Sequence, residues 1–148
     1  MTGYESFSDE SRVWIYQSKR LFLDNEAESL RQSLKSFAEN WVSHNRQLKA
    51  FADVYHNRFI ILMVDESRAE ASGCSIDASV AFLKKVEALF QTDLFDRLHF
   101  TLRVNGENVN LNRDEFIQWY ASGKISDETL VFDNLVNNKK DFTEAWLK

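Results

Sequence analysis

The sequence contains no proline and a single cysteine, and each absence narrows the kind of protein it can be. At an average proline content of about 5%, a chain of this length would carry roughly seven. Without Pro-rich linkers, the chain is predicted to form one domain over residues 1–148. Because Cys74 has no second cysteine to pair with, an internal disulfide framework is excluded. Stability must come from the core, for which 44% apolar and 14% aromatic residues suffice.

Long apolar runs and excess basic charge are also missing. The longest uninterrupted apolar run is Phe59–Val64, far below the roughly 20 residues that span a bilayer. The first residues, Met1–Ser6, show neither the basic nor the apolar region of a secretory signal. We therefore expect a cytoplasmic protein with no membrane partner. The net charge of −5 is spread evenly, and without a basic stripe we expect no nucleic-acid partner.

Glycine is scarce, with only Gly3, Gly73, Gly106 and Gly123. Neither a Walker A loop nor a dinucleotide-binding glycine motif can be built from this spacing, so a P-loop ATPase is excluded. Paired-cysteine, zinc-protease and EF-hand spacings are also missing. We expect no metal and no cofactor.

Four segments are typical of β-strands. Val13–Tyr16 and Phe59–Val64 are apolar at every position, as strands covered on both faces are. Ala50–Tyr55 and Leu98–Val104 alternate between apolar and polar residues, which predicts half-exposed edge strands. His99 alternates with Leu98 and Phe100, so it is predicted to face either solvent or a cleft.

Periodic apolar residues predict two helices, one from Asp24 or Asn25 to about His44 and one from about Ser75 to Phe90. The resulting order over residues 11–104 predicts an α+β fold with a ferredoxin-like, split βαββαβ core. Residues 105–148 are predicted to add a β-hairpin, whose turn is Asn105-Gly106, and helices. This C-terminal extension is expected to cover the sheet face opposite the two main helices. A homodimer partner on that face is the alternative.

The strongest candidate site is Ser72–Asp77, at the start of the second predicted helix. Unpaired N–H groups and the helix dipole favour anions at such a position. A small anionic ligand is therefore predicted at this turn, near charged residues at strand ends. The predicted ligand-binding residues are Ser72, Gly73, Cys74, Ser75 and Asp77 in the turn and Arg12, Asp65 and Arg97 at the strand ends. The alternative is an ordinary helix cap, with Cys74 as a small apolar residue.

Cys74 also supports a catalytic hypothesis, because the helix N-terminus favours the thiolate, which is the nucleophilic form. Catalysis would need a base, and the candidates are His44, His56 and His99. None of them has a recognisable family spacing from Cys74. The leading hypothesis is thus a binding or interaction module without strong catalysis. A thiol-dependent enzyme or redox sensor and a homodimeric interaction protein are the alternatives.

Four strings carry a resemblance to a known family: Ser11–Gln17, Asn57–Ile60, Ser72–Val80 and Val131–Val136. Together the chain resembles an uncharacterised family of bacterial proteins of about this length. Members of that family are often labelled as ABC transporter ATPases. The resemblance implies a full-length domain of that family, and it assigns no chemistry to any residue.

Overall fold

The structure is a computed structural model that describes residues 3–148. This part of the chain forms a mixed α+β fold of four helices and three small antiparallel sheets. The helices are α1 Asp24–Asn40, α2 Gly73–Phe90, α3 Arg113–Ala121 and α4 Lys139–Ala145. The strands are β1 Arg12–Gln17, β2 Val42–Ser43, β3 Arg46–Gln47, β4 Lys49–Tyr55, β5 Phe59–Asp65, β6 His99–Val104, β7 Glu107–Asn112 and β8 Leu130–Val131.

The main sheet has the strand order β1-β5-β4 and is antiparallel throughout. Every residue of the central strand β5 is buried, as its uninterrupted apolar sequence predicts. Its even-numbered side chains pack with α1 and α2, and its odd-numbered side chains pack in a second layer on the opposite face. This alternation follows from the two-residue period of a strand.

The second layer comes from both ends of the described chain. Tyr4 and Phe7 from the N-terminal segment pack with Phe132, Phe142 and Trp146 from the C-terminal extension, and all five are at most 8% exposed. The prediction that the extension covers this face is confirmed. The face proposed for a dimer partner is filled by this chain's own residues.

The ferredoxin-like strand order is not confirmed. In that order β6 would lie beside β1, whereas it pairs with β7 and β8 in a sheet of its own. β7 and β8 occupy the two edges of β6, which leaves no edge for β1. The turn at Asn105-Gly106 closes the β6–β7 hairpin, because both residues have positive φ (52° and 79°), as a tight hairpin requires. β6 therefore pairs with its immediate successor in the chain, at a small loop-closure entropy.

Helix bounds differ from the predictions by a few residues. α1 ends at Asn40 rather than near His44, because His44 and Asn45 have positive φ (51° and 65°) and turn β2 into β3. α2 begins at Gly73, two residues before the predicted start. Within residues 3–148, no helix is long and apolar enough to cross a membrane.

Candidate binding cavity between the two larger sheets

The predicted site at Ser72–Asp77 is occupied by a helix cap. Ser72 is the N-cap residue of α2, and its Oγ accepts a hydrogen bond from the Ser75 main-chain N–H at 3.2 Å. The Ser75 hydroxyl donates back to the Ser72 carbonyl oxygen at 2.7 Å. Trp41 donates its indole N–H to the Ser75 carbonyl oxygen at 2.8 Å, which ties the helix start to the core. Both hydroxyls therefore already serve the helix end.

Gly73, Cys74 and Asp77 of the same turn are exposed. The Cys74 sulfur makes no hydrogen bond within the described residues, so the structure does not place a histidine against it. His44 lies in the β2–β3 turn, His56 follows β4 beside Trp146, and His99 begins β6. The histidine that nucleophilic catalysis by Cys74 needs is thus not in contact with the thiol, and the catalytic assignment stays a prediction.

The predicted site residues outside the turn lie at opposite ends of β1. Arg12 opens the strand, with its guanidinium 4.7 Å from the Trp14 ring centroid and 3.9 Å from the Glu66 carboxylate. Arg97 lies near the other end, where it lines the same cavity as Gln17. The six residues of β1 span roughly 17 Å, so the two arginines do not belong to one compact site.

Asp65, another member of the predicted set, has a structural environment. It is 3% exposed, and its carboxylate accepts hydrogen bonds from the main-chain N–H groups of Ser8 (3.2 Å) and Ser67 (3.0 Å). Lys49 lies 3.4 Å away. Burial acts to raise the pKa of Asp65, but these hydrogen bonds outweigh it and lower the pKa to about 2. The carboxylate therefore ties the N-terminal segment to the end of β5.

A cavity of about 510 Å³ lies where β1 approaches β6. Its walls come from five separate parts of the chain: β1, the segment after α2, the start of β6, residues 131–135, and Lys148. Most of the lining is apolar: Ile15, Tyr16, Leu94, Phe95, Phe100, Val131, Phe132 and Leu135. Its volume is within the range of roughly 300–1,000 Å³ typical of small-molecule sites.

A polar network connects the sheets beside this cavity. Gln17 donates its side-chain N–H to the His99 carbonyl oxygen at 2.6 Å and accepts from the Thr101 hydroxyl at 2.9 Å. Asn110 donates to the Thr101 hydroxyl at 3.0 Å and lies within hydrogen-bond distance of His99 Nδ1. Gln17, His99 and Thr101 are buried. These side-chain hydrogen bonds connect β1 to β6, although the two strands belong to different sheets and share no main-chain strand pairing.

His99 is the unusual member of this network. It lines the cavity and is 3% exposed, yet its Nε2 is buried and has no hydrogen-bond partner within the described residues. Burial lowers the pKa of His99, against the opposing effect of the hydrogen bond to Asn110. The ring is therefore neutral near pH 7. A buried polar atom without a partner is rare in folded proteins and indicates a missing hydrogen-bond partner.

Among residues 3–148, the charges that line the cavity leave one cation without an ion-pair partner. Asp96 is paired with Lys19 at 2.7 Å, and Asp133 with Lys148 at 3.2 Å. Arg97 is exposed and has no ion-pair partner in residues 3–148. It lies close enough to Tyr16 to oppose the burial that raises the pKa of that phenol. The mouth of the cavity is thus suited to a single negative charge.

The sequence predicts Arg97 as a ligand-binding residue and allows His99 to face a cleft, but it does not predict the cavity itself. Gln17 resembles an ordinary polar residue after an apolar strand, and its partners lie 82 and 84 residues away. Within residues 3–148, no cluster of three or more His, Cys, Asp or Glu side chains is placed to hold a metal ion.

Comparisons of this chain with protein families, with curated proteins and with solved structures give no match. The resemblance to a bacterial family described above therefore stays a prediction. The cavity must be interpreted from its own chemistry.

Proposed function

We propose that this protein is a binding module for a small organic anion, held in the cavity between the two larger sheets. The cavity itself carries the proposal, because it has the volume of a small-molecule site and apolar walls beside the guanidinium of Arg97. The predicted function of small-molecule or anion binding is kept, and its site moves from the α2 N-terminus to this cavity.

The cavity specifies the chemistry of the ligand. Apolar walls favour an aliphatic or aromatic body, whose burial drives binding by about 25 cal/mol per Å² of apolar surface. Arg97 at the mouth favours one carboxylate or similar anion, and its planar guanidinium can bind both oxygens of a carboxylate. His99 and the Gln17 network fix orientation. Cys74, the nucleophile considered from the sequence, is not among the lining residues of the cavity, so we propose binding without turnover.

Amide chemical shifts of the ¹⁵N-labelled protein test this assignment. Octanoate and 4-phenylbutyrate are the probes, and the matching primary alcohols are the uncharged controls. We expect shift changes at residues 15–17, 94–100 and 131–135, with weaker binding of the alcohols. Changes confined to residues 72–77 would instead place the site at the α2 N-terminus and overturn the cavity assignment.

A charge-matched pair of variants isolates the role of Arg97. Arg97→Gln removes the unpaired cation at the cavity, and Arg68→Gln removes one exposed cation from the β5–α2 connection. We expect Arg97→Gln to weaken carboxylate binding roughly tenfold or more, since a hydrogen bond to a charged group contributes about 1.5–3 kcal/mol. Arg68→Gln should leave affinity unchanged. Equal effects of the two variants would show that only net charge matters.

A further inference from the structure

The edge of β1 has hydrogen-bonding groups that the fold does not use. Main-chain N–H groups of alternate residues in a strand point to the same side. Ser18, just beyond the strand, donates its N–H to Arg58 beside β5 at 2.8 Å, whereas Val13 donates to Asn137 on the other side at 3.0 Å. The odd-numbered residues of β1 therefore direct their N–H and C=O groups away from β5.

Only the first part of this edge is covered. Residues 137 and 138 pair with Val13 and Arg12, and the chain then leaves the edge through a turn in which Val136 donates to the Asp133 carbonyl oxygen at 3.4 Å. The outward N–H and C=O groups of Ile15 and Gln17 have no partner within the described residues. Ile15, Tyr16 and Gln17 are consecutive wall residues of the cavity, as expected where the strand presents its edge.

We infer that the ligand of this cavity is a short free peptide with a carboxylate end, which adds a strand to β1 at Ile15 and Gln17. The inference rests on the proposed binding function and narrows its substrate class. An extended peptide carries alternating N–H and C=O groups at the spacing of the open edge, about 7 Å across three residues. Apolar peptide side chains match the walls, and the terminal carboxylate matches Arg97. A cavity of about 510 Å³ fits a peptide of about three residues rather than a folded partner.

Three related probes test the inference: N-acetyl-trivaline acid, the same peptide methylated on its central amide nitrogen, and its C-terminal amide. We expect the acid to slow hydrogen exchange of the Ile15 and Gln17 amides roughly tenfold, as newly bonded amides do. The amides of Trp14 and Tyr16, which face β5, should not change. Methylation should reduce affinity about tenfold, because it removes a donor and obstructs the strand edge.

The C-terminal amide should also bind about tenfold more weakly than the acid, and this difference should vanish in Arg97→Gln. If methylation leaves affinity unchanged while cavity residues still shift, the peptide inference is wrong and the binding function stands. If neither the peptides nor octanoate and 4-phenylbutyrate shift cavity residues, both proposals fail.

Discussion

The side-chain amide of Gln17 lies 2.6 Å from the carbonyl oxygen of His99, and this contact joins two sheets that share no strand ladder. Gln17 also accepts a hydrogen bond from the Thr101 hydroxyl. One side chain at the end of β1 therefore makes two hydrogen bonds to β6, one as donor and one as acceptor. The cavity opens beside this junction. Its shape therefore depends on a polar contact as well as on apolar packing.

Replacing Gln17 by leucine should destabilise the protein by about 2–3 kcal/mol, because the buried His99 carbonyl loses its side-chain donor and the buried Thr101 hydroxyl loses its acceptor. Gln47→Leu is the matched control. Gln47 is exposed, and it donates to the Glu39 carbonyl oxygen at 2.8 Å, so its replacement should change stability by about 0.5 kcal/mol or less. Urea unfolding measures both variants. Equal losses would show that the Gln17 contacts add nothing beyond a surface hydrogen bond.

Acid should weaken the fold through His99. Burial lowers the pKa of His99 in the folded protein below the ordinary value of 6.5. The unfolded chain then binds the proton more readily, so stability is full above about pH 6.5 and falls as the pH drops below it. Around the ring, Asp96 and the bond to Asn110 oppose this shift, while Arg58 and Lys19 reinforce it.

The free energy of unfolding, measured by urea between pH 7.5 and 5, tests this dependence. His99→Gln should reduce the slope, because it removes one of the histidines whose pKa burial lowers; His56, whose pKa is also lowered by burial, keeps part of it. His44→Gln, in the exposed β2–β3 turn, is the matched control. A slope unchanged by His99→Gln would assign the acid sensitivity to other groups.

The parts of the fold that local patterns encode were predicted well. The apolar run of β5 and the periodic apolar residues of α1 and α2 are each visible within one segment, and each predicts which of its residues are buried. The partner of β6 was not predictable in this way, because its alternation fits any sheet with one buried face. The turn at Asn105-Gly106 pairs β6 with β7, and β8 occupies its other edge, so no edge is left for β1.

The candidate site was harder to predict for a related reason. Arg97 and His99 stood out as single residues, but a cavity wall is assembled from segments that are distant along the chain. Cys74 lies among the polar residues of a helix start, and these same residues are what a cap requires. Local composition at Ser72–Asp77 is therefore compatible with both a cap and a site.

The C-terminal layer should be essential to the fold. Trp146 is 8% exposed, its ring lies 4.9 Å from that of Phe59 and 4.8 Å from that of Phe132, and its indole donates to Asn134 at 3.0 Å. Trp146→Ala should cost about 3–5 kcal/mol. Trp119→Ala, on the half-buried face of α3, should cost clearly less. Thermal unfolding ranks the two, and the reverse order would mean that the C-terminal layer is only loosely attached.

Ser72 offers a direct test of whether the α2 N-terminus is a cap or a ligand site. Ser72→Ala should destabilise the protein by about 1 kcal/mol, because the Ser75 N–H loses its acceptor, while Ser72→Gly should cost only a few tenths. Neither variant should change the affinity for octanoate, and Cys74→Ser should not change it either, since the cavity does not include these residues. Calorimetric titration gives the affinities and urea unfolding gives the stabilities. Loss of octanoate binding in Cys74→Ser, with stability unchanged, would restore the helix start as the site.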